Sequence, residues 1–551
     1  GMIRLLFGYI MRKIHFLMNY NRTQHEENRK AHQEDTESKT ETGKDLSQNL
    51  NTLEAMLSDS SDLKVHSFRT GPDKSLSGAL VYFDGMVNNT TLTQAIMRPL
   101  MAWNGENTHL PTGKGRGNLL DVLAQEVLNV ASACPVQWME ELVSGCLSGH
   151  TILLLEDCPG GLDINTEGWE HRQITEPQSE TVVRGPREGF TEDLRTNITM
   201  LRRKIRSGQL HVEQMNMGEK TRTAVSLLYL KDVADPRVVK TVKTRLDLLD
   251  LDSVLESGYL VEYIEDAPFS LFSTVGYSEK PDVIAARVLE GRVAVLVDGT
   301  PFVLTAPMLF VESFQTAEDY YARPLYSSLI RLLRFIAYLM TIFLPAVYIA
   351  LTVFHQELVP TQLLFTFANA REGTPFPASV EVTTMMFTYD ILQEAGIRLP
   401  RPVGQAISIV GALVMGEAAV EAGLVGAPTV ITVALTAVTS FLIPMQNNST
   451  YILRYIMIAL ASFAGIYGIS MGLLSLLIHL ASLTSFGVPY FDGLSWTRNL
   501  QDSVARMPLW TMTRRPKYIA HGDIKRRHFF VPPRPYSEEE GEEGGPEGDS
   551  T

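Results

Sequence analysis

The uneven distribution of charge along the chain restricts its fold more than any other feature. Acidic and basic residues are frequent in residues 1–325 and 491–551, but between 402 and 490 the charged residues are only Glu417, Glu421 and Arg454. A segment with so few charges needs lipid or a large core to cover it, and this one is long enough for several membrane-spanning helices. The chain is therefore predicted to contain a soluble N-terminal region, a membrane domain and a soluble C-terminal tail.

The overall charge and the cysteine content argue against two classes of protein. The net charge is −14, partly because of the acidic stretch EEEGEEGGPEGD, so the basic surface of a nucleic-acid-binding protein is not expected. Cys134, Cys146 and Cys158 form no CxxC pair, and their odd number argues against a disulfide framework. We interpret them as small buried apolar residues of a protein in a reducing compartment.

The N-terminal half is predicted to be a soluble α/β region made of two small domains. Short apolar runs with strand composition alternate with segments whose apolar residues recur at helical spacing, and this alternation favours mixed α and β domains. The predicted division is a basic amphipathic N-terminal segment at 1–20, a disordered polar linker at 21–60, a first cytosolic α/β domain at 61–175 and a second at 176–325.

The apolar second half is predicted to be an all-α transmembrane helical bundle that covers residues 326–490. About 20 apolar residues span a bilayer as a helix. The stretches that come closest to this requirement are about 335–354, 402–423, 429–444 and 451–483. Residues 491–551 are then a cytosolic C-terminal segment with an acidic, disordered tail.

Basic residues at both ends of the membrane domain determine its predicted orientation. Arg331 and Arg334 precede the first span and further basic residues follow the last, so the positive-inside rule places both ends in the cytoplasm. This requires an even number of spans. Four spans satisfy the rule if 359–370 and 379–397 are re-entrant or interfacial. Six would need both of these segments to cross, and the first is too short.

The soluble half carries no motif typical of a catalytic, cofactor or metal site. The Gly-rich GKGRGN at 113–118 lacks the GK[ST] ending of a P-loop, and GxSxG, HExxH and cysteine–histidine metal spacings are absent from the sequence. Arg184 and Arg187, in the inter-domain loop RGPREG, could bind an anion, although a structural turn is the simpler interpretation. The chain is therefore predicted not to be an enzyme and to need no cofactor.

The helix predicted at 402–423 carries the residues most suggestive of function. Glu417 and Glu421 are four residues apart and project from one face, and a carboxylate within a span usually meets water or a bundle interior. The same helix has small residues that permit close packing or line a narrow passage. The candidate pore-lining residues are Gln405, Ser408, Ala412, Gly416, Glu417, Ala419 and Glu421. The alternative is that the two glutamates lie in headgroup water at the membrane interface.

Four other ionisable residues of the membrane domain are candidates for a gating or packing role. Such residues are rare in spans and tend to face the protein interior, where they pair with one another. They are Glu381, Asp390, Glu394 and Arg454.

Three long stretches of the sequence resemble one known family. EPQSETVVRGPREGFTEDLRTNITMLRRKI (176–205), GRVAVLVDGTPFVLTAPMLFVESFQTAEDYY (291–321) and the segment from PFPASVEVTTMMF to TSFLIP (375–444) are similar to spore germinant receptor A subunits, the GerA family of endospore-forming bacteria. The similarity runs from roughly residue 60 to 495. Members commonly have GQAAV where this chain has GEAAV, so Glu417 replaces an amide.

The resemblance implies a receptor subunit of the spore inner membrane that helps to sense nutrients and trigger ion release. The cytoplasmic side, where the basic residues place both termini, is then the core side of the spore. As partners it implies a transporter-like B subunit, a lipoprotein C subunit and further copies of this chain in a ring, proposed to be a ligand-gated channel. Membrane lipid and monovalent cations would be further partners of the chain. Two other hypotheses stay open: a secondary transporter that couples cations through intramembrane carboxylates, and a membrane-anchored enzyme.

Overall fold

A computed structural model describes residues 40–398, 416–491 and short stretches between 502 and 522, apart from gaps at 72–73, 104–117, 169–176, 178–179, 181 and 183. The predicted N-terminal segment at 1–20, residues 21–39 of the predicted linker and the acidic tail lie outside these residues.

The first domain is a five-stranded sheet with helices on both faces. Its elements are α1 (Leu46–Met56), β1 (Leu63–Thr70), β2 (Leu76–Phe83), α2 (Asn89–Thr91, continued by Leu92–Met97 and Arg98–Ala102), α3 (Asn118–Val122, continued by Leu123–Val127), β3 (Ala133–Val136), α4 (Met139–Leu147), β4 (Thr151–Leu155) and β5 (Gly161–Ile164). The strands are antiparallel in the order β1-β2-β4-β5-β3. Because successive side chains point to opposite faces, Leu80 and Leu153 lie in one apolar core and Ala79 and Leu154 in the other.

The second domain repeats this architecture. Its elements are α5 (Leu194–Lys204), β6 (Leu210–Met217), β7 (Thr223–Leu230), α6 (Pro236–Asp247), α7 (Ser257–Ile264), β8 (Gly276–Ser278), α8 (Pro281–Leu289), β9 (Val293–Val297) and β10 (Val303–Ala306). The strand order β6-β7-β9-β10-β8 matches the first sheet strand for strand, and Asn88 and Asp235 cap the equivalent helices α2 and α6. The two sheets confirm the α/β character of this half. The duplication was not predicted, because a core needs apolar residues at the right positions rather than the same residues.

The predicted disordered linker ends well before residue 60. Asp45 caps α1 by accepting hydrogen bonds from the backbone of Ser47 and Gln48, and Leu53 and Leu57 are completely buried in the first domain. The prediction was wrong here because the polar residues dominate the composition of this stretch. Folding depends instead on the helical spacing of its few leucines.

The three cysteines lie in different environments. Cys146 and Cys158 are buried in the two cores of the first domain, as predicted. Cys134 is exposed on the edge strand β3, contrary to the prediction. The difference follows from the position of the strand, because an edge strand is covered less completely than a central one.

A buried arginine joins the two soluble domains. The Nε and Nη2 atoms of Arg202, on α5, donate to the two carboxylate oxygens of Asp62 at 2.5 and 2.7 Å. The guanidinium carbon also lies 4.1 Å from the ring centroid of Phe83, and Nη2 reaches the Ser60 hydroxyl at 2.8 Å. This bidentate ion pair between Arg202 and Asp62 holds the first domain in a defined orientation on the second.

Helices make up most of the described part of the apolar half, beginning with the short α9 (Glu318–Tyr321). They continue as α10 (Pro324–Ile349, extended by Ala350–Phe354), α11 (Thr361–Arg371), α12 (Ala378–Arg398), a short helix at 416–421, α13 (Ala427–Ser440) and α14 (Asn447–Ser482). By length and composition, Pro324–Phe354 and Asn447–Ser482 could each cross a membrane. Phe272, Phe310 and Phe314 of the second domain pack into the same apolar core as these helices.

The predicted spans match these helices only in part. The span predicted at 335–354 belongs to a helix that begins at Pro324, and the span predicted at 429–444 to a helix that ends at Ser440. Most of the span predicted at 402–423 lies outside the described residues.

Helix α14 consists of two antiparallel arms that meet at Gly465, so the prediction of one continuous span at 451–483 was wrong. Gly465 has φ 59° and ψ −134°, a conformation that is accessible to glycine and strained for other residues. A Cβ added at Gly472 would lie 2.6 Å from Sδ of Met457. Residues 15 apart in a straight helix are about 22 Å apart, so the chain reverses between them. Hydropathy could not indicate this, since a straight helix and a hairpin of the same residues are equally apolar.

The hairpin formed by the two arms of α14 has its tip at one end of α10 and its base on the second domain. A Cβ at Gly465 would lie 2.8 Å from Cβ of Phe354, at the end of α10. At the base, Nε2 of Gln446 donates to the Ser313 hydroxyl at 2.6 Å, and the backbone N–H of Phe310 donates to the carbonyl of Tyr490 at 2.9 Å. A small ribbon, β11 (Thr484–Ser485) and β12 (Val488–Pro489), follows the second arm.

Candidate functional site

The helix predicted to line a passage is described only in its last part. Gln405, Ser408 and Ala412 lie outside the described residues. Gly416 is buried, and a Cβ there would lie 3.1 Å from a methyl of Val430, so this side of the helix packs against α13. Ala419 is half-buried, whereas Glu417 and Glu421 are both exposed. The two carboxylates therefore lie on a face that the described residues leave open.

Asp390 and Arg454 form an ion pair inside the helical bundle. Nη2 of Arg454 lies 2.8 Å from both carboxylate oxygens of Asp390, and both side chains are almost completely buried. The Tyr455 hydroxyl donates to the same carboxylate, and the guanidinium lies 5.2 and 5.4 Å from the ring centroids of Tyr451 and Tyr455. The pair joins α12 to the first arm of α14. Mutual neutralisation and these hydrogen bonds make the burial of both charges tolerable.

Glu381 is buried near the opposite end of α12. Its Oε2 accepts a hydrogen bond from the Thr429 hydroxyl at 3.0 Å and lies 3.5 Å from the backbone N of Gly426, just before α13. Its Oε1 lies 3.8 Å from Nε of Arg371. The Thr429 hydroxyl also contacts the Tyr348 hydroxyl of α10 at 3.1 Å. The carboxylate thus faces the positive end of a helix dipole and a guanidinium, and it connects α11, α12 and α13.

Glu394 differs from the other two carboxylates of α12. It is exposed and pairs with Arg398 one turn later, with 2.6 Å between Nη2 and Oε1. An exposed pair of this kind contributes less than about 1 kcal/mol. Sequence reasoning grouped the three carboxylates, but only Glu381 and Asp390 have partners on other helices of the bundle.

The loop that contains Arg184 and Arg187 lies against the connection to the first long helix. The backbone N–H of Arg184 donates to Oε1 of Glu318 at 3.2 Å, and a Cβ at Gly185 would lie 2.7 Å from the Tyr321 ring. Both arginine side chains are exposed. The loop therefore contacts α9, which links the second domain to α10.

Sequence reasoning missed a cluster of charges at the base of α10. Nε of Arg331 donates to Asp319 and its Nη1 to Asp502, each at 2.8 Å, and Nη1 of Arg334 also reaches Asp319 at 2.9 Å. The Tyr320 hydroxyl donates to Asp502 at 2.8 Å. In the sequence, the two arginines indicate only the orientation of the membrane domain. Local spacing carries no signal for a partner as distant along the chain as Asp502.

The two carboxylates of this cluster have opposite pKa shifts. Burial acts to raise the pKa of Asp319, but the hydrogen bonds and charges of Arg334 and Arg331 outweigh it and hold the pKa below its usual value. Burial is the stronger influence on Asp502 and raises its pKa in spite of the contact with Arg331.

The C-terminal segment runs from this cluster back to the second domain. The Arg506 guanidinium donates to the backbone carbonyls of Ala322 and Tyr320 at 3.0 and 3.2 Å. Further along, Ala520 forms an antiparallel bridge with Ala234. The described stretches between 502 and 522 therefore lie at the same end of the helical bundle as the soluble domains.

Most of the buried charges in the described residues of this region are paired with one another. In the portion of the chain described above, His, Cys, Asp and Glu form no group of three or more that could hold a metal ion. The buried charges connect helices to each other and to the second domain. Among the described residues of the apolar half, Glu417 and Glu421 are an acidic pair that stays exposed on one helical face.

Comparison with known proteins shows which family this chain matches. A family described as Bacillus/Clostridium GerA spore germination protein matches residues 51–518. Spore germination protein KA of Bacillus subtilis (strain 168) is 40% identical over 495 residues, 89% of each chain. Uncharacterized membrane protein YfkQ of the same strain is 41% identical over 482 residues, 87% of this chain and 92% of that protein. Spore germination protein GerLA of Bacillus cereus is 35% identical over 449 residues, 81% and 90% of the two chains.

One solved structure is also similar. The crystal structure of the N-terminal domain of the A subunit of the Bacillus megaterium spore germinant receptor GerK3 has 32% sequence identity and a TM-score of 0.40. The match covers 50% of this chain and 98% of that one.

Proposed function

The chain belongs to the GerA family of Bacillus/Clostridium spore germination proteins, and from this membership we propose that it is the A subunit of a nutrient germinant receptor in the spore inner membrane. A role in germination follows from the relatives themselves. The finer proposal is that the chain converts nutrient binding into release of monovalent cations. Its partners would be the B subunit, which resembles a transporter, and the C subunit, a lipoprotein.

The observation that carries the channel proposal is the open face with Glu417 and Glu421. Gly416 packs against α13, while the two carboxylates one turn apart are left uncovered by their own chain. In a ring of several copies, this face of each helix at 402–423 would border a shared aqueous lumen. A carboxylate is tolerated at membrane depth chiefly where it meets water, and a ring of carboxylates favours cations over anions.

We propose six membrane crossings in place of the four predicted from sequence: α10, α12, 402–423, α13 and the two arms of α14. Contacts between helices support this count. Tyr348 and Thr341 of α10 contact Thr429 and Thr439 of α13 at 3.1 and 3.0 Å, so α13 runs antiparallel to the second half of α10. An even number keeps both ends of the membrane domain on one side, which agrees with the return of the C-terminal segment to the second domain.

The transporter alternative receives less support from the buried carboxylates. A coupled transporter needs a carboxylate that is free to bind and release its cation. Asp390 is held by Arg454 at 2.8 Å, and Glu381 faces Arg371 and the start of α13. Asp390 is therefore committed to its partner, and Glu381 has Oε2 held by Thr429, while its Oε1 lies near Arg371 without a hydrogen bond among the described residues.

The proposal is tested by potassium release from spores in which this chain is the A subunit that responds to the nutrient. Glu417→Gln restores the amide common in the family, and Glu421→Gln removes the second charge. We expect both variants to assemble and to slow release or reduce cation preference, because each removes negative charge from the lumen. Glu394→Gln is the matched control, since it removes an exposed carboxylate on another helix. Unchanged potassium release in the double variant Glu417→Gln/Glu421→Gln would refute the proposed ring of carboxylates.

Two further measurements separate the hypotheses. Passive flux gated by a nutrient in proteoliposomes supports a channel, whereas uptake coupled to a gradient supports a transporter. Cysteines at positions 405, 408, 412 and 416 should react with a water-soluble thiol reagent in at least one state. If none of them reacts in any state, this helix does not line water.

A further inference from the structure

A fully exposed phenylalanine projects from the second domain beside the base of the α14 hairpin. Phe269 has a relative exposure of 101%, the highest of the large apolar side chains in the described residues. It lies with Pro268 at the tip of a turn that the Ser270 N–H closes on the Ala267 carbonyl at 2.9 Å. The residues on either side, Ala267 and Leu271, pack against the core shared by the helices and the second domain. The turn is thus anchored by its flanks, and only its tip is uncovered.

The position of this turn relative to the helices is defined by contacts. The Ser270 hydroxyl lies 2.9 Å from Nε2 of His479, in the last turn of the second arm of α14, and the Phe272 ring lies 6.1 Å from the His479 ring. Just before His479 on the same arm, Leu474 and Ile478 are exposed apolar residues. Phe269 therefore lies at the level where the apolar outer surface of the hairpin ends.

The acidic residues next to the turn do not oppose contact with an apolar phase. Asp266 pairs with Arg245 at 2.7 Å, and its other oxygen accepts a hydrogen bond from the Thr484 hydroxyl at 3.1 Å. Glu265 accepts hydrogen bonds from Ser273 and from the backbone N–H of Thr274. Both carboxylates are held against the protein, so Pro268 and Phe269 form a small uncharged tip.

From these observations we infer that the turn at 267–270 inserts Phe269 into the lipid interface and fixes the second domain against the membrane surface. Phenylalanine is among the apolar residues that interfacial segments bury at the boundary between headgroups and acyl chains. The apolar tip is continuous with the outer surface of the hairpin, and this continuity identifies lipid as its partner. The inference rests on the proposed membrane crossings, because the level of the interface is taken from the α14 arms.

Spin labels on the full-length chain in lipid nanodiscs test the inference. The background is Cys134→Ser, because Cys134 is the exposed cysteine. Labels are attached at Phe269→Cys, at Met101→Cys on the first domain and at Met471→Cys on the second arm of α14; Met101 and Met471 are both exposed. Collision rates are measured with oxygen, which concentrates in lipid, and with a water-soluble nickel chelate. We expect the nickel collision rate at position 269 to be several-fold lower than at 101, with high oxygen access as at 471.

Each other outcome has a definite meaning. If position 471 is in lipid but 269 collides with nickel as often as 101 does, the inference is wrong and the proposed crossings stand. If 269 is shielded from both reagents, protein covers the tip, for example a second copy of the chain, and the lipid contact is also refuted. If position 471 itself is open to nickel, the proposed crossings fail together with the inference.

Discussion

Nη2 of Arg454 lies 2.8 Å from both carboxylate oxygens of Asp390, and this ion pair is enclosed in the helical bundle. It joins α12 to the first arm of α14 at a depth where either charge alone would be unfavourable. Removal of one partner should therefore be much more harmful than removal of both.

Asp390→Asn should lower the free energy of unfolding by about 3–5 kcal/mol, because it leaves the Arg454 guanidinium buried without a counter-charge. The measurement is thermal unfolding of the purified protein in detergent. Glu394→Gln on the same helix is the control and should change stability by less than about 1 kcal/mol, since its partner Arg398 is exposed. The double variant Asp390→Leu/Arg454→Met should recover part of the loss. Equal effects of Asp390→Asn and Glu394→Gln would contradict this account.

Glu381→Ala should be more destabilising than Thr429→Val. The first change removes a charge that faces Arg371 and the start of α13, whereas the second leaves that charge in place and removes one hydrogen bond to it, worth about 1.5–3 kcal/mol. The effects of the two changes should not add, because both act on the contact between Glu381 and Thr429. A double-mutant cycle by thermal unfolding measures the coupling, and strictly additive losses would show that the contact is not made.

The reversal at Gly465 predicts a specific labelling pattern. Cysteines at Asn448 and Ser482, at the two ends of α14, should react with an impermeant thiol reagent from the side of the soluble domains, and a cysteine at Tyr467 from the opposite side. All three positions are exposed. If positions 448 and 482 were labelled from opposite sides, α14 would be a single straight span and not a hairpin. Gly465→Ala should destabilise the packing of the α14 hairpin against α10, because the added Cβ would lie 2.8 Å from Cβ of Phe354 and the φ of residue 465 is positive.

Asp319 and Asp502 should affect the pH dependence of stability in opposite ways. The pKa of Asp319 is lowered in the folded state, so its ionised form stabilises the fold above the unfolded pKa of about 3.9, and this contribution is lost as pH falls through the folded pKa. The pKa of Asp502 is raised, so its contribution is full below the unfolded pKa and is lost as pH rises through the folded pKa.

The measurement is the stability of Asp319→Asn and Asp502→Asn relative to wild type from pH 7 downward. The deficit of Asp319→Asn should be large at neutral pH and shrink below about pH 4. The stability of wild type relative to Asp502→Asn should instead increase as pH falls from 7 towards 4. Parallel pH profiles for the two variants would show that the two carboxylates do not have opposite shifts.

The division into a mixed α and β soluble half and a helical apolar half could be predicted from sequence. Charge and hydropathy are properties of each residue, and a run of similar residues records whether that segment meets water or an apolar phase. The four-residue spacing of Glu417 and Glu421 is equally local, so it predicts a shared face before any fold is known. The strands and helices of the soluble half followed from their apolar periodicity for the same reason.

The partners of the charged residues were decided by tertiary structure alone. Arg331 meets Asp502 across 171 positions, and Arg454 meets Asp390 across 64. The sequence does not show which distant residues are close in space, because that depends on the directions that the intervening turns give to the chain. Gly465 is the clearest case: one glycine with positive φ reverses a helix whose composition predicts a straight span. Sequence determined which segments are apolar, and the fold decided which of their few charges face each other and which stay open.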